Sequence, residues 1–509
     1  MSSEGERYRS SYRFGALERR GLMGGNRTGR VVLLGAACLF AVAVFRRLPT
    51  AGGLALGVLA IGGACLATWL PVAGRTLDEW APVLAGWVAA RALGSSRYRS
   101  AAPRAGTTIE LDTRRLRRPL DLPHPLDRVS LVGLPLADDR ELGVFADRRE
   151  GTYTAVAVIR VRSFGLLAAA EQERRLERWG RTLASLARDG GPVRRLQVTE
   201  RTLPHDEDQL ALWLESRADP SISPNDPARR SYETLMASAG DVTQDHDVLV
   251  ALQVDPRRVR SGSSADGPRS RDDVGCQLAL REMRAFAERL EAADAGVAGL
   301  LSTAQCARAV RLAYEPHLRA DLSRLRAAEA QQLGPTAADA MWDRYRSDGA
   351  VHRSYWIALW PRLNVGPAFL GPLLLSATAV RSFSVVVEPV PPARARSAAE
   401  AAVTSDEADE QIRRERGFRT TARRRKQQAA TRRREAELAD GHEELRFAGF
   451  ITVSARDDAE LERSCQEVAD AAQQAYLDLQ PMWGQQDVGF ICGALPLCHG
   501  LARAGLLDR

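Results

Sequence analysis

The 509-residue chain contains one lysine, Lys426. A phosphate-gripping P-loop needs a lysine after its glycines to reach the β- and γ-phosphates, and Lys426 stands in RRRKQQ with no glycine loop, so a Walker-type nucleotide site is excluded. Cysteine is too sparse and too scattered to form a framework. The seven residues (38, 65, 276, 306, 465, 492 and 498) are odd in number and contain no CxxC, which argues against both a disulfide scaffold and a closed zinc knuckle. Reduced, buried thiols are expected. GxSxG, HExxH and paired Ser/His patterns are missing as well, so nucleophilic and metal-assisted hydrolysis have no basis in the sequence. The reading is therefore a non-enzyme without metal or cofactor. Nor is there a cleavable signal peptide, because the first apolar run ends in Arg46-Arg47 instead of a small-residue cleavage site.

What is present is globular in character, 45% apolar and 27% charged, in a length that suits two or three domains. The formal balance of 71 basic and 64 acidic residues gives +7, nearly all of the positive charge being arginine.

Two charge-free runs lie near the N-terminus, VVLLGAACLFAVAVF (31–45) and AGGLALGVLAIGGACLATWLPVAG (51–74). The second reaches the roughly 20 residues a bilayer core requires; the first does so only with its start at Thr28 and Arg30 snorkelling. Its small residues, Gly52, Gly53, Gly57, Gly62 and Gly63, suit close helix approach in a membrane. A transmembrane hairpin is predicted. Seven arginines precede it and five follow in residues 75–104, while the loop between holds only Arg46 and Arg47. The positive-inside rule then places both termini in the cytoplasm, at the inner membrane. WAPVLAGWVAARAL (80–93) sets Trp80, Val83, Leu84, Trp87 and Val88 on one helical face, which fits either a helix in the headgroup region or a short helix on the soluble body. Arg30, Arg46, Arg47, Trp69, Trp80 and Trp87 are the candidate anchoring residues.

The expected organisation is a basic tail (1–30), the hairpin (31–74), a juxtamembrane helix and linker (75–128), a first α+β half (129–345) and a second (346–509) with a charged helical insertion over 392–442. YTAVAVIRVRSF (153–164), VRRLQVTE (193–200), HDVLVALQVD (246–255), VRSFSVVVEPV (380–390) and LRFAGFITVSA (445–455) read as strands, the third as a central one. Helices are expected at 274–295 and 300–331, at DEDQLALWLESRA, and after residue 455 with Leu461, Cys465, Val468, Ala472 and Tyr476 on one stripe. DVGFICGAL reads as a final strand, with Cys492 a small buried hydrophobe and no Cys498/His499 metal site. Two split-βαβ-like (ferredoxin-like) halves with inserted helices fit this pattern.

Three constellations carry candidate chemistry. Residues 413–434 hold eleven basic side chains, among them Arg423, Arg424, Arg425, Lys426, Arg432, Arg433 and Arg434. Such a cluster neutralises phosphates of nucleic acid or anionic lipid, but SDEADE and EAELADGHEE flank it and no aromatics interleave, which favours a solvated helix. SYWIALWPR groups Tyr355, Trp356 and Trp360, either a partner-docking surface or the large side chains of a core strand. QDHDV (244–248) clusters acids with one histidine, either a metal-binding or general-base group or an acidic turn into a strand, and the lone histidine without a second ligand cluster favours the turn.

The opening YRFGALERRGLMGG, the tight hairpin and LPVAGRTLDEWAPVLAGWVAAR resemble a family of actinobacterial membrane proteins of conjugation-like or secretion machinery. The hairpin resembles the PrgI-like inner-membrane subunit of type IV secretion. The body resembles the region preceding the motor domain of conjugation ATPases, where a strand, a helix and a final apolar strand ending in Leu-Pro-Leu lead into the nucleotide-binding domain, and SYWIALWPRL with the two-helix-plus-soluble-domain layout resembles EccE of type VII secretion. This implies a non-catalytic membrane anchor or adaptor for a separate ATPase, oligomeric within a larger complex. The alternative is a membrane-tethered DNA-binding protein using 413–434.

Overall fold

The computed structural model describes residues 28–501 apart from 70, 73–74, 101–116, 120–121, 137–139, 161–163, 165–166, 205–216, 218, 220–221, 224, 241–243, 260–270, 319–333, 362, 364, 377, 416–421, 440 and 442. The basic tail before Thr28 and nearly all of the helix expected at DEDQLALWLESRA lie outside the described residues. The fold is mixed α+β, in two compact units: one built on residues 14–96 and 405–419, the other on 97–404 and 420–509.

In the smaller unit, α1 (Thr28–Arg47) and α2 (Ala51–Trp69) form a helical hairpin, followed by α3 (Leu77–Ala92). Glycine lets the hairpin close: a Cβ at Gly57 would come within 3.2 Å of the Ala41 Cβ. The Glu79 carboxylate accepts the Thr76 amide at 3.2 Å, satisfying one orphan donor at the start of α3.

The larger unit is organised by one antiparallel sheet of fourteen strands. In chain order they are β1 (Arg97–Arg99), β2 (Arg117–Pro119), β3 (Val129–Pro135), β4 (Glu141–Asp147), β5 (Thr152–Arg160), β6 (Val193–Pro204) and β7 (Gln244–Val254). The rest are β8 (Gly296–Leu300), β9 (Ala337–Ala340), β10 (Tyr345–Ser347), β11 (Ala350–Leu359), β12 (Arg381–Pro389), β13 (Leu445–Ala455) and β14 (Asp478–Pro481). The spatial order is β1-β9-β10-β11-β13-β12-β6-β7-β5-β4-β3-β2, with β8 on β5 and β14 on β11. Arg97–Arg99 and Arg117–Pro119, expected as linker, are thus edge strands, because backbone pairing makes little demand on the side chains.

One sheet face is covered by α4 (Ala169–Ala184) and α6 (Arg271–Ala292) over the first half and by α10 (Asp458–Gln474) over the second. In α6, Cys276, Met283, Phe286 and Leu290 recur at helical spacing and are buried. Each of the larger three contributes about 1.5–3 kcal/mol by leaving water. The Asp457 carboxylate caps α10 by accepting the amides of Ala459 and Glu460 at 2.9 and 2.8 Å, and Leu461, Cys465, Val468 and Ala472 form its buried stripe. Tyr476 departs from the expected stripe: it lies past the helix end at φ 57° and is exposed.

The opposite face carries α7 (Thr303–Tyr314) and α11 (Gln486–Ala494). Leu131 and Phe145 near one end of the sheet and Ala338 and Tyr345 near the other join one cluster with Val310 and Phe490. The sheet therefore bends around these two helices. Between the second and third long strands of each half, α5 (Pro227–Gly240) follows β6, and α8 (Pro392–Glu415) and α9 (Ala422–Ala439) follow β12.

DVGFICGAL is helical, not the expected strand. An apolar run of this length does not distinguish the two by periodicity, and packing decides. Gly489 and Gly493, four residues apart, form a flat helical face on the sheet, where a Cβ at Gly489 would come within 2.7 Å of the Ser354 Cβ.

Candidate functional site

Of the two hairpin helices, only α2 is long and apolar enough to cross a membrane among the described residues. Arginines at both ends of α1 (Arg30, Arg46 and Arg47) shorten its apolar stretch. Large hydrophobic side chains stand exposed along both helices, including Leu39 at 74%, Leu59 at 74% and Leu66 at 64%. Arg46 and Arg47 at the turn and Trp69 at the end of α2 are exposed as well; the Arg30 side chain lies outside what is described. α3 divides its expected face in two. Trp80 and Val83 are buried, whereas Leu77, Leu84 and Val88 are exposed. Arg75 lies over the Trp80 ring and Arg91 over Trp87, each at 5.4 Å, pairing a cation with an aromatic at both ends of the helix.

The basic tract lies on α9 and the end of α8. The side chains of Arg423, Arg424, Arg425 and Lys426 lie outside what is described. Arg433 donates to Glu437 at 2.7 Å and Arg434 to Glu444 at 2.6 Å, while Arg432 is exposed. The acidic flank thus neutralises part of the tract within the same helix and its exit.

Tyr355, Trp356 and Trp360 do not share one exposed surface. Strand alternation sends Tyr355 into the core under α10 and Trp356 to the other face. Trp360 packs edge-on against Phe447 with ring centroids 5.3 Å apart.

QDHDV opens β7, and alternation separates its members. His246 Nδ1 lies 2.7 Å from Glu200 Oε1, which also accepts the Thr202 hydroxyl at 3.0 Å. Arg381, fully buried, approaches Glu200 Oε2 at 4.0 Å. Burial lowers the Arg381 pKa and Glu200 opposes the shift. The arrangement is an acid–imidazole–guanidinium cluster, and no group of three or more His, Cys, Asp or Glu side chains suited to a metal occurs among the described residues.

Sequence reasoning missed the most elaborate polar assembly, a buried layer between β6 and the segment after α11. Gln197 Oε1 accepts the Cys498 amide at 2.7 Å and its Nε2 donates to the Leu495 carbonyl at 2.9 Å. Arg195 donates to the carbonyls of Cys498 and Leu501 at 3.2 and 2.8 Å, with Glu150 and Glu388 at 3.6 and 3.5 Å. Gln253 reaches the Leu497 carbonyl at 3.4 Å. These side chains satisfy the main chain of a buried loop that no sheet pairing serves. The available signal was polar residues at 195, 197, 199 and 201, with apolar Leu196 and Val198 between the first three, in a strand covered on both faces.

Burial pushes the Cys276, Cys492 and Cys498 thiols up to about 12, and Cys306 higher still. Thiolate is the reactive species, so maleimide near neutral pH is expected to miss these four in native protein and label them after denaturation. Fast native labelling of Cys498 would contradict the packing of the final loop.

No protein-family model matches the chain, and no curated protein matches it with significance.

Proposed function

We propose that this chain is a non-catalytic integral membrane component of a conjugation-type or type VII-like secretion apparatus. The hairpin anchors it in the inner membrane with both termini cytoplasmic, and its α+β body serves as an adaptor for a separate ATPase. The carrying observation is the exposed apolar surface of α1 and α2, which is costly in water and favourable among acyl chains. The arginines at the turn and the tryptophans of α2 and α3 supply interfacial anchors. What supports a scaffolding role is that buried Arg195, Arg201 and Arg381 face carboxylates or backbone carbonyls and that Cys276, Cys306, Cys492 and Cys498 are buried. Its strand orders, β8-β5-β7-β6 and β14-β11-β13-β12, fit two split-βαβ-like halves.

Membranes from cells producing the full chain are expected to retain it through an alkaline carbonate wash. Leu56→Arg with Leu59→Arg should release it, since each arginine near the centre of a span costs about 2.5–3.5 kcal/mol. Wild-type protein in the wash supernatant would defeat the anchor. The adaptor role requires that the detergent-solubilised protein retain a P-loop ATPase on affinity purification, with loss of that ATPase the contrary result. Salt-sensitive DNA binding that disappears when Arg432, Arg433 and Arg434 become glutamine would favour the DNA-binding alternative.

A further inference from the structure

The strand pairings of the body form a palindrome. Across its centre runs one row of directly opposed residues, Gly299, Val158, Leu249 and Thr199 continuing into Ser384, Phe450, Trp356 and Gln480. Read from either end, the row visits the last strand of a half, its first, its third and its second. At the centre the hydroxyls of Thr199 and Ser384 lie 2.8 Å apart.

The correspondence extends outward on both sides. In each half an N-terminal hairpin strand pairs with the start of the first strand, Asp147 opposite Thr152 and Ser347 opposite Ala350. The last strand then takes the remainder of that same edge, Leu300 opposite Ala157 and Pro481 opposite Tyr355. Both of these last pairings contain a register shift. The helix before each last strand gives way to a residue in the left-handed region two positions ahead of the strand, Asp294 at φ 62° and Tyr476 at φ 57°. Each last strand leads into a buried helix on the same sheet face, α7 or α11, whose Tyr314 and Phe490 rings meet at 4.8 Å. Arg201, two residues from the centre, donates to one carbonyl of each helix, Ala309 and Ala494, both at 2.8 Å. The halves differ in what they insert. The first carries α4 between its first two strands where the second has only a short π-helical turn at Pro372–Ser376, and between the second and third strands the first carries α5 where the second carries α8 and α9.

We propose that the body is a covalently joined pair of one module, residues 129–318 and 337–500, related by a local two-fold axis between Thr199 and Ser384. The edges that meet there, Val193–Pro204 and Arg381–Pro389, are one self-complementary surface whose partner is a second copy of the module. An isologous contact of this kind repeats every off-axis contact, i against j on one side and j against i on the other, and it occupies this edge, directing any further partner to the rest of the body. The inference concerns the body alone and stands or falls separately from membrane anchoring and ATPase docking.

The test uses the full chain in detergent with a protease site between Leu318 and Gly334. After cleavage the protein should keep the mass of the uncut chain by light scattering. Two substituted proteins then probe the axis: Val198→Cys with Val385→Cys, and Glu200→Cys with Phe383→Cys, opposed pairs that the axis interchanges. Each should run, after cleavage, as one band without reductant and two with it, to the same extent, while the off-register combination Val198→Cys with Phe383→Cys should link far less. Halves that part on cleavage without denaturant, or one opposed pair locking while the other stays open, would overturn the proposal. The mass measurement needs no cysteine substitution and decides even where a substituted protein fails to fold.

Discussion

Arg201→Met is expected to cost about 1–3 kcal/mol of stability, the penalty of leaving a buried acceptor without its donor. Arg201 is buried at the centre of the body, with its guanidinium divided between the Ala309 and Ala494 carbonyls. Ala494 is the last residue of α11, where carbonyls lack intrahelical donors and the helix dipole presents negative charge. Desolvation lowers the arginine pKa to about 10, opposed by Asp247, so the side chain remains charged at neutral pH. Methionine fills the space but donates nothing, leaving the helix-terminal Ala494 carbonyl without a partner in a dry interface, while Ala309, inside α7, keeps only its intrahelical bond. Arg201→Lys should recover only part of the loss, because one ammonium on a flexible stem cannot reproduce the fork. Urea denaturation of the detergent-solubilised protein measures both. A methionine variant with a wild-type midpoint would mean that the Ala494 carbonyl is satisfied some other way.

That arginine illustrates where the sequence was legible and where it was not. The strands at 152–160, 244–254, 381–389 and 445–455 and the helix at 458–474 follow from local periodicity, since each has one apolar face or two and its burial rewards the pattern. Opposite faces for Tyr355 and Trp356 follow from the same alternation. Long-range partnership leaves no such trace. Val158 and Trp356, or Leu249 and Phe450, occupy matching places in the two halves without resembling each other, because a strand position constrains burial far more than identity. The helix at 486–494 is hidden for a related reason: its short apolar run reads as a strand, and the close approach of Gly489 and Gly493 to Ser354 and Thr452 leaves no local trace. Nothing local to Arg195, Gln197 and Arg201 announces their burial, because the loop and helix end that cover them lie some three hundred residues later.

Acid should destabilise the body, with His352 a principal cause. The ring is fully buried: Nδ1 lies 2.8 Å from the Ser454 hydroxyl, and Nε2 lies 2.8 Å from the Ser347 hydroxyl and 3.1 Å from the Tyr314 carbonyl. Phe490 packs beside it at 4.7 Å. Burial pushes its pKa down to about 3, against the opposing pull of the Tyr314 carbonyl. The unfolded chain has the ordinary value near 6.5. Between those values the unfolded state binds a proton that the folded state refuses, so the stabilisation is complete above about pH 6.5 and falls as pH drops toward 3, by up to about 1.4 kcal/mol per unit. His317 and His499 are also lowered by burial and act in the same direction. His352→Gln retains hydrogen-bonding capacity without titrating. It should therefore lower stability at neutral pH through imperfect fit while flattening the decline below about pH 6.5, with the remaining slope left to the other two histidines and the carboxylates. Urea midpoints at stepped pH values compare the two proteins, and equal slopes would locate the acid sensitivity away from His352.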